Sequence, residues 1–369
     1  MTRSLAISLL CLGTLTAPGL GQIEPFTPSK SVWSVHSSDE IPNEAPASAE
    51  ELAPGFQLLP LGRDEQGFET WKHEPSGMLF VFVPGGKVTI GSDYNAAKVV
   101  TGKMASEVLP AEQPSVEIYV SPFFIGLYEV TNKQYEPFLE AYRQGGVVEH
   151  EYLLNAKPQL HTPLLWDQPE LGFREEDQPV AGVSWISAWA MSSWLGGRLP
   201  TDAEWEKACR GTDSRLYPWG NHWDHTRANT HGSNNAKTTP VGLYPGGRSP
   251  YGCYDMIGNV TEYTADAFEK GVYRYYPVKD PCLLFRNGRK VRKTAVSRGG
   301  CWNSLQGAYV YTRAAARCRE YTYRWIGGII DPASLLWSGF RIVLSPLGKL
   351  HPESWLEERR ATIEAEREK

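Results

Sequence analysis

The sequence predicts a mixed α+β fold that is irregular and holds little regular secondary structure. Three observations carry this expectation. Short β-rich runs end abruptly in turns, three helices of modest length carry explicit start and stop signals, and the chain is rich in Gly (35), Pro (27) and Trp (13) over 369 residues. Breakers at that density exclude a helix bundle, and large aromatic rings can fill the core that short elements leave between them.

The compact domain is expected to begin near residue 75, at Gly77-Met78-Leu79-Phe80-Val81-Phe82-Val83-Pro84-Gly85-Gly86, a β-rich run closed by a turn. Val88 to Ser92 reads as a second strand. Thr131 can cap a helix from Asn132 to about Arg143, with Gly145-Gly146 as its stop. Ser184 can cap Trp185 to Leu195, followed by Gly196. Thr201-Asp202-Ala203-Glu204 has the spacing of a capping box, in which a hydroxyl and a carboxylate each satisfy a free backbone N–H, and Gly211 ends that helix. Beyond it, turns and short strands run to Val343, and residues 346–369 form a charged tail that includes Glu353 to Arg360.

A net charge of −5 and a hydrophobic fraction of 41% describe a globular chain without the basic footprint of a nucleic-acid binder. Residues 1–21 read as an export signal: Arg3, an apolar stretch from Leu5 to Leu15, and the small-x-small site Gly19-Leu20-Gly21. That stretch is too short to span ~30 Å of hydrocarbon, so no membrane span is expected. The mature protein is expected in the periplasm or outside the cell. Residues 22–74, rich in Ser, Pro, Glu and Ala, read as a linker or arm. Removal of the signal, which contains Cys11, leaves Cys209, Cys253, Cys282, Cys301 and Cys318. An odd count leaves at least one thiol unpaired or paired between chains, and the spacing has no CxxC to suggest zinc.

Several segments in fixed order resemble the formylglycine-generating enzyme, or sulfatase-modifying factor, family. They are Gly77 to Gly86, Tyr128-Glu129-Val130-Thr131-Asn132, Pro179 to Trp185, Gly197 to Glu206, Tyr217 to Asn221, Asp255 to Val260, Arg298-Gly299-Gly300 and Gly339-Phe340-Arg341. The resemblance covers about residues 75–345 and implies a C-type-lectin-like core. In active family members two cysteines after the Gly-Gly segment bind copper and oxidise a substrate cysteine. Those positions fall here on Ser304 and Tyr309, neither of which offers the soft thiolate that Cu(I) prefers. Thr261 stands where active members carry a Trp. Copper-dependent formylglycine generation is therefore not expected.

Cys301 occupies the place of a family serine beside the copper pair. It is either a reactive thiol at the edge of the substrate groove, or a buried thiol or disulfide partner. The resemblance implies calcium at Asp255, Gly258, Val260 and Glu262, two carboxylates and two backbone carbonyls that suit a hard cation, and a second calcium group starting at Asn229 and Thr230. It also implies a disulfide at Cys209; the usual partner position falls on Ala314 here, and Cys318, four residues on, is the substitute. His222, His225 and His231 are a further candidate set for a transition metal, although their spacing matches no established pattern. Two readings stay open. One is an exported, calcium-stabilised module that binds a peptide, glycan or protein. The alternative is an oxidoreductase of divergent chemistry, in siderophore maturation or formylglycine generation.

Overall fold

Two sheets and three principal helices organise the chain. The computed structural model describes residues 47–93, 110–145, 161–276, 278–283, 294–304, 311–321, 325–326, 329–330 and 336–346. The expected leader, Tyr309 and the charged tail beyond 346 lie outside the described residues.

Order begins well before residue 75, which corrects the expectation of an arm up to residue 74. Ser48 caps the single turn α1 (Ala49–Leu52) with a full capping box to Glu51. The strands β1 (Leu58–Arg63) and β2 (Glu69–His73) then form an antiparallel hairpin. In β2 alternate residues point inward: Trp71 and His73 are buried while Lys72 is exposed. This two-residue period outweighs the polar composition, and the Trp71 ring packs edge-on against Phe124 at 5.6 Å.

The hairpin extends a five-stranded antiparallel sheet in the order β1-β2-β3-β6-β13, with β3 at Leu79–Val83, β6 at Phe123–Gly126 and β13 at Val343–Leu344. Between β3 and β6 lies a separate ribbon of β4 (Gly86–Ile90) and β5 (Val116–Val120). The helices follow: α2 (Asn132–Arg143), α3 (Trp185–Trp194) and α4 (Asp202–Arg210). Thr131 and Thr201 each form a capping box, and the Ser184 hydroxyl accepts from the Ser187 N–H. A second sheet has the order β12-β7-β8-β9, built from β7 (Thr261–Ala267), β8 (Thr294–Arg298), β9 (Cys318–Tyr321) and β12 (Ser338–Gly339). β12 pairs in parallel with β7, and the other pairs are antiparallel. A two-stranded ribbon of β10 (Trp325–Ile326) and β11 (Ile329–Ile330) completes the described strands.

One core cluster joins the first sheet to α2 and α3 through Trp71, Phe124, Tyr135, Phe138, Trp185 and Phe340. Side chains of this size contribute about 1.5–3 kcal/mol each on full burial. α4 differs in kind. All nine of its residues are buried, five of them charged (Asp202, Glu204, Glu206, Lys207, Arg210), and this forces a network of partners around it. No described helix is long and apolar enough to cross a membrane.

Candidate functional site

The four arginines of the closing segments are fully buried, and each holds a carboxylate far away in sequence. Arg298 reaches Asp202 at 2.6 Å and Glu206 at 2.9 Å. Arg317 lies 2.8 Å from Asp202, Arg313 forks onto both oxygens of Glu112, and Arg341 onto both of Glu262. Bidentate pairing suits the planar guanidinium and repays part of the desolvation of both charges.

This lattice fixes the segment from Asp255 to Glu262. Asp255 adopts a left-handed backbone with φ 54°, a conformation its short polar side chain tolerates. Its Oδ2 accepts the Gly242 N–H at 2.6 Å, while Oδ1 is buried without a partner. Burial pushes its carboxyl up to about 6. Glu262 is already engaged by Arg341 and by Trp205 Nε1 at 2.7 Å. Sequence reasoning missed a third carboxyl here. Glu129 accepts from Asn259 Nδ2 at 2.7 Å and from the Val260 N–H at 3.1 Å, and burial together with Asp255 and Glu262 holds it well above the usual carboxylate range. Three buried carboxyls thus share one neighbouring guanidinium, that of Arg341.

Gly258 abuts the loop of Asn229, whose carbonyl occupies the space a Cβ would need. The Asn259 N–H donates to that carbonyl at 2.8 Å, so the two predicted calcium segments lie against one another. The Asn229 side chain accepts from Ser233 and Asn235 and donates to the Lys237 carbonyl and Asn259. Beside it, Thr230 Oγ1 is buried without a partner.

The histidine expectation fails. His222, His225 and His231 are all exposed, and among the described residues no group of three His, Cys, Asp or Glu side chains forms around them. Separate short turns carry His225 and His231. Asp224, the carboxylate nearest in sequence, is committed to Thr226 and Arg227, which hold it down at about 2.

The Cys209–Cys318 disulfide is likewise not formed, and all five described cysteines are free. Strand alternation gives the reason. Arg298 points from β8 toward α4, which carries Cys209, so its neighbour Ser297 faces the other way. Cys318 is the cross-strand partner of Ser297 and shares that far face.

Cys301 sits at the same far face. Gly299 and Gly300 adopt φ of 85° and 69°, and this turn carries the chain over the sheet. A Cβ at Gly300 would meet Ser304 Oγ and Thr312 Cγ2 at 2.9 Å. The Cys301 N–H donates to Ser304 Oγ at 3.0 Å, and that hydroxyl lies 3.8 Å from the thiol. The sheet curls strongly here: Ser338 Oγ on one edge strand comes within 3.5 Å of Glu320 Oε1 on the other. Burial pushes Glu320 up to about 7. Outside this concavity, Trp302 packs on the buried Phe173 at 5.6 Å and on Trp337 at 5.3 Å, and Trp302, Trp337, Leu171 and Leu336 are half-buried.

A curled sheet under a Gly-Gly turn, locked by buried arginines, defines a class of domain. The sulfatase-modifying factor enzyme 1-like domain matches residues 68–345, and the chain belongs to that family. It is 34% identical over 249 residues to the serine/threonine-protein kinase pkn1 of Chlamydia caviae, covering 66% of this chain and 36% of that protein. It is 32% identical over 224 residues to the inactive C-alpha-formylglycine-generating enzyme 2 of Mus musculus, covering 51% and 69% respectively. Against the hercynine oxygenase of Mycolicibacterium smegmatis the identity is 29% over 250 residues, covering 62% and 55%. The chain thus spans only 36% of the length of the C. caviae protein. Among solved structures, PvdO from Pseudomonas aeruginosa shares the fold with a TM-score of 0.55 and 22% identity, covering 74% of this chain and 97% of that one.

Proposed function

We propose that this is an exported, calcium-stabilised binding module of the sulfatase-modifying factor family, whose ligand is a segment of peptide, glycan or protein laid along the Phe173–Trp302–Trp337 strip. The observation that carries the reading is the state of Ser304. Where the family resemblance places a copper thiolate, Ser304 presents a hydroxyl that is already occupied by the Cys301 N–H. A hard, hydrogen-bonded hydroxyl is a poor ligand for Cu(I). The strip beside it keeps partly exposed aromatic surface, the kind of surface that dominates binding energetics. Similarity to a protein named an inactive formylglycine-generating enzyme supports the same reading.

Calcium fits the Asp255–Glu262 segment on two counts. Asp255 Oδ1 is buried without a partner, and Glu129, Asp255 and Glu262 together outweigh the charge of Arg341. A bound divalent cation would offset that excess and fasten the segment against the Asn229 loop. Asp255 would supply the open oxygen with the Gly258 and Val260 carbonyls, while Glu262, forked onto Arg341 and bound by Trp205, would join only by giving up one of these partners. Residues 1–21 support export, which fractionation of cells producing the tagged full-length protein tests directly.

The decisive experiment combines elemental analysis of the purified protein, melting in calcium and in chelator, and a formylglycine assay on a sulfatase-motif peptide. Calcium alone, with a lower melting temperature in chelator and no turnover, is the expected result. Turnover that follows bound copper or iron would replace this reading with the oxidoreductase one. A melting temperature indifferent to chelator would remove the calcium.

A further inference from the structure

We infer that the ligand of the Phe173–Trp302–Trp337 strip is an extended peptide segment with a bulky apolar residue and, two residues away, an acidic one. The apolar side chain covers the strip and the carboxylate pairs with Lys237. The inference rests on the binding-module reading and names the ligand of that same site.

Lys237 stands at one end of the strip. Gly172, between Leu171 and Phe173, has a left-handed φ of 68°. A Cβ there would lie 2.7 Å from Lys237 Nζ and 3.7 Å from its Cδ, so the lysine chain occupies the space that a side chain at 172 would take. Its stem lies along the turn, and Nζ donates to the Gly172 carbonyl at 3.5 Å. That long bond is the only polar contact of the ammonium among the described residues, and no carboxylate there pairs with it. The acids that flank Gly172 in sequence, Glu170, Glu175 and Glu176, are exposed, and Glu176 is taken by Lys133.

Two other lysines show how the fold treats the same group elsewhere. Lys133 meets Glu176 at 2.8 Å, and Lys207 donates to the carbonyls of Pro84 and Val120 at 2.6 and 3.2 Å. Lys237 is half-buried with its one long contact. A cation partly withdrawn from water and left without a counter-charge favours an anion brought by a ligand.

The strip supplies the apolar half. Its rings follow one another at 5.6 and 5.3 Å, and each ring-bearing residue is pinned through its backbone. Asn132 Nδ2 donates to the Phe173 carbonyl at 3.0 Å, the Trp302 N–H to the Asn259 carbonyl at 3.0 Å, and the Thr261 N–H to the Trp337 carbonyl at 2.8 Å. A surface fixed in this way loses little entropy when it is covered. Its floor is Leu165, Phe173, Ala181 and Val260 and its edges are Leu171 and Leu336, none of which offers a side-chain hydroxyl or amide. A sugar would leave its own hydroxyls unpaired here, whereas an aliphatic or aromatic side chain would not. Side chains on one side of an extended peptide repeat every ~6.6 Å, close to the ring spacing. An apolar side chain over Trp302 therefore sends the second residue along the segment past Phe173 toward Gly172 and Lys237.

The test uses the full-length protein and three capped peptides, acetyl-Gly-Leu-Ser-Glu-Gly-amide and its counterparts with Gln or Lys in place of Glu, titrated by tryptophan fluorescence and calorimetry. The Glu peptide should bind about fivefold more tightly than the Gln peptide, with the Lys peptide weakest and the differences shrinking in about 1 M salt. Lys237→Gln should erase the preference while leaving the Gln peptide unaffected. Lys237→Glu should turn the preference toward the Lys peptide, a gain that a misfolded variant cannot give. Equal affinities or no binding across the three peptides, or a Glu preference that survives Lys237→Glu, would overturn the inference. So would octanoate binding as tightly as the Glu peptide, since a fatty acid carries an apolar group and a carboxylate without the peptide spacing. The underlying reading fails by a different readout, turnover of a sulfatase-motif peptide that follows bound copper or iron.

Discussion

Arg298 Nε lies 2.6 Å from Asp202 Oδ1, joining the last residue of β8 to the first residue of α4. Both side chains have no exposure, and the same guanidinium also holds Glu206 and the Tyr273 hydroxyl. Removal of the cation would leave Asp202 to Arg317 and Glu206 to Arg210, each carboxyl short of one partner in a medium where water cannot replace it. Arg298→Met should therefore destabilise the domain by about 3–5 kcal/mol in urea or guanidinium unfolding. A loss under 1 kcal/mol would mean that water reaches the network.

A smaller loss is expected from the α4 cap. Thr201 Oγ1 accepts the Glu204 N–H at 3.1 Å, and the Glu204 carboxylate returns to the Thr201 N–H at 2.8 Å while also holding Arg198. Thr201→Ala should cost about 1 kcal/mol, with Thr201→Ser restoring most of it. Equal stability of all three proteins would show that the Arg198 pair alone fixes Glu204.

Asp266 gives the domain a pH dependence of unusual sign for a carboxylate. Burial, then the neighbouring Asp202, push it up to about 6 from 3.8. The folded state therefore holds this proton more tightly than the unfolded chain does. The contribution is fully present below about pH 4 and is lost as pH rises through about 6, on the order of 3 kcal/mol in all. Denaturant unfolding from pH 4 to 7 should show Asp266→Asn lacking this decline relative to wild type, whatever its absolute stability. Parallel curves for the two proteins would refute the assignment.

A clasp at Arg248 ties down the turn of the β1–β2 hairpin. Arg248 stacks on Phe68 at 4.1 Å and on Tyr254 at 4.5 Å, and pairs with Asp64 in the hairpin turn. Arg248→Ala should expose the turn from Asp64 to Phe68 to limited proteolysis while the five-stranded sheet persists. Unchanged cleavage would assign the anchoring to Trp71 instead.

The helices were legible in the sequence because their signals are local. Thr131, Ser184 and Thr201 stand at the helix starts, and each boundary follows within a residue or so. The hairpin of β1 and β2 was hidden because only Leu58, Trp71 and His73 turn inward, while Leu59 and Leu61 stay exposed and blur the alternation. The arginines were visible as a family label, but their partners lie 79 to 201 residues away and leave no local pattern. Glu129 stood inside a recognised motif with nothing to mark it as buried beside Asp255. Glu320 had no signal at all, since its surroundings arise from the curl that brings β9 to β12. The expected Cys209–Cys318 bridge failed on the same ground: spacing along a chain does not say which face of a sheet a thiol will occupy.

The distance between each arginine and its carboxylate also governs the order of folding. Glu112, Asp202 and Glu262 all precede their partners Arg313, Arg298 and Arg341 in the chain. A polypeptide growing from its N-terminus carries these acids uncompensated until its last strands are made. Contacts of such long range close slowly, because loop entropy is lost before they form. The domain should thus stay open through most of its synthesis and close in one late step, when Arg341 reaches Glu262.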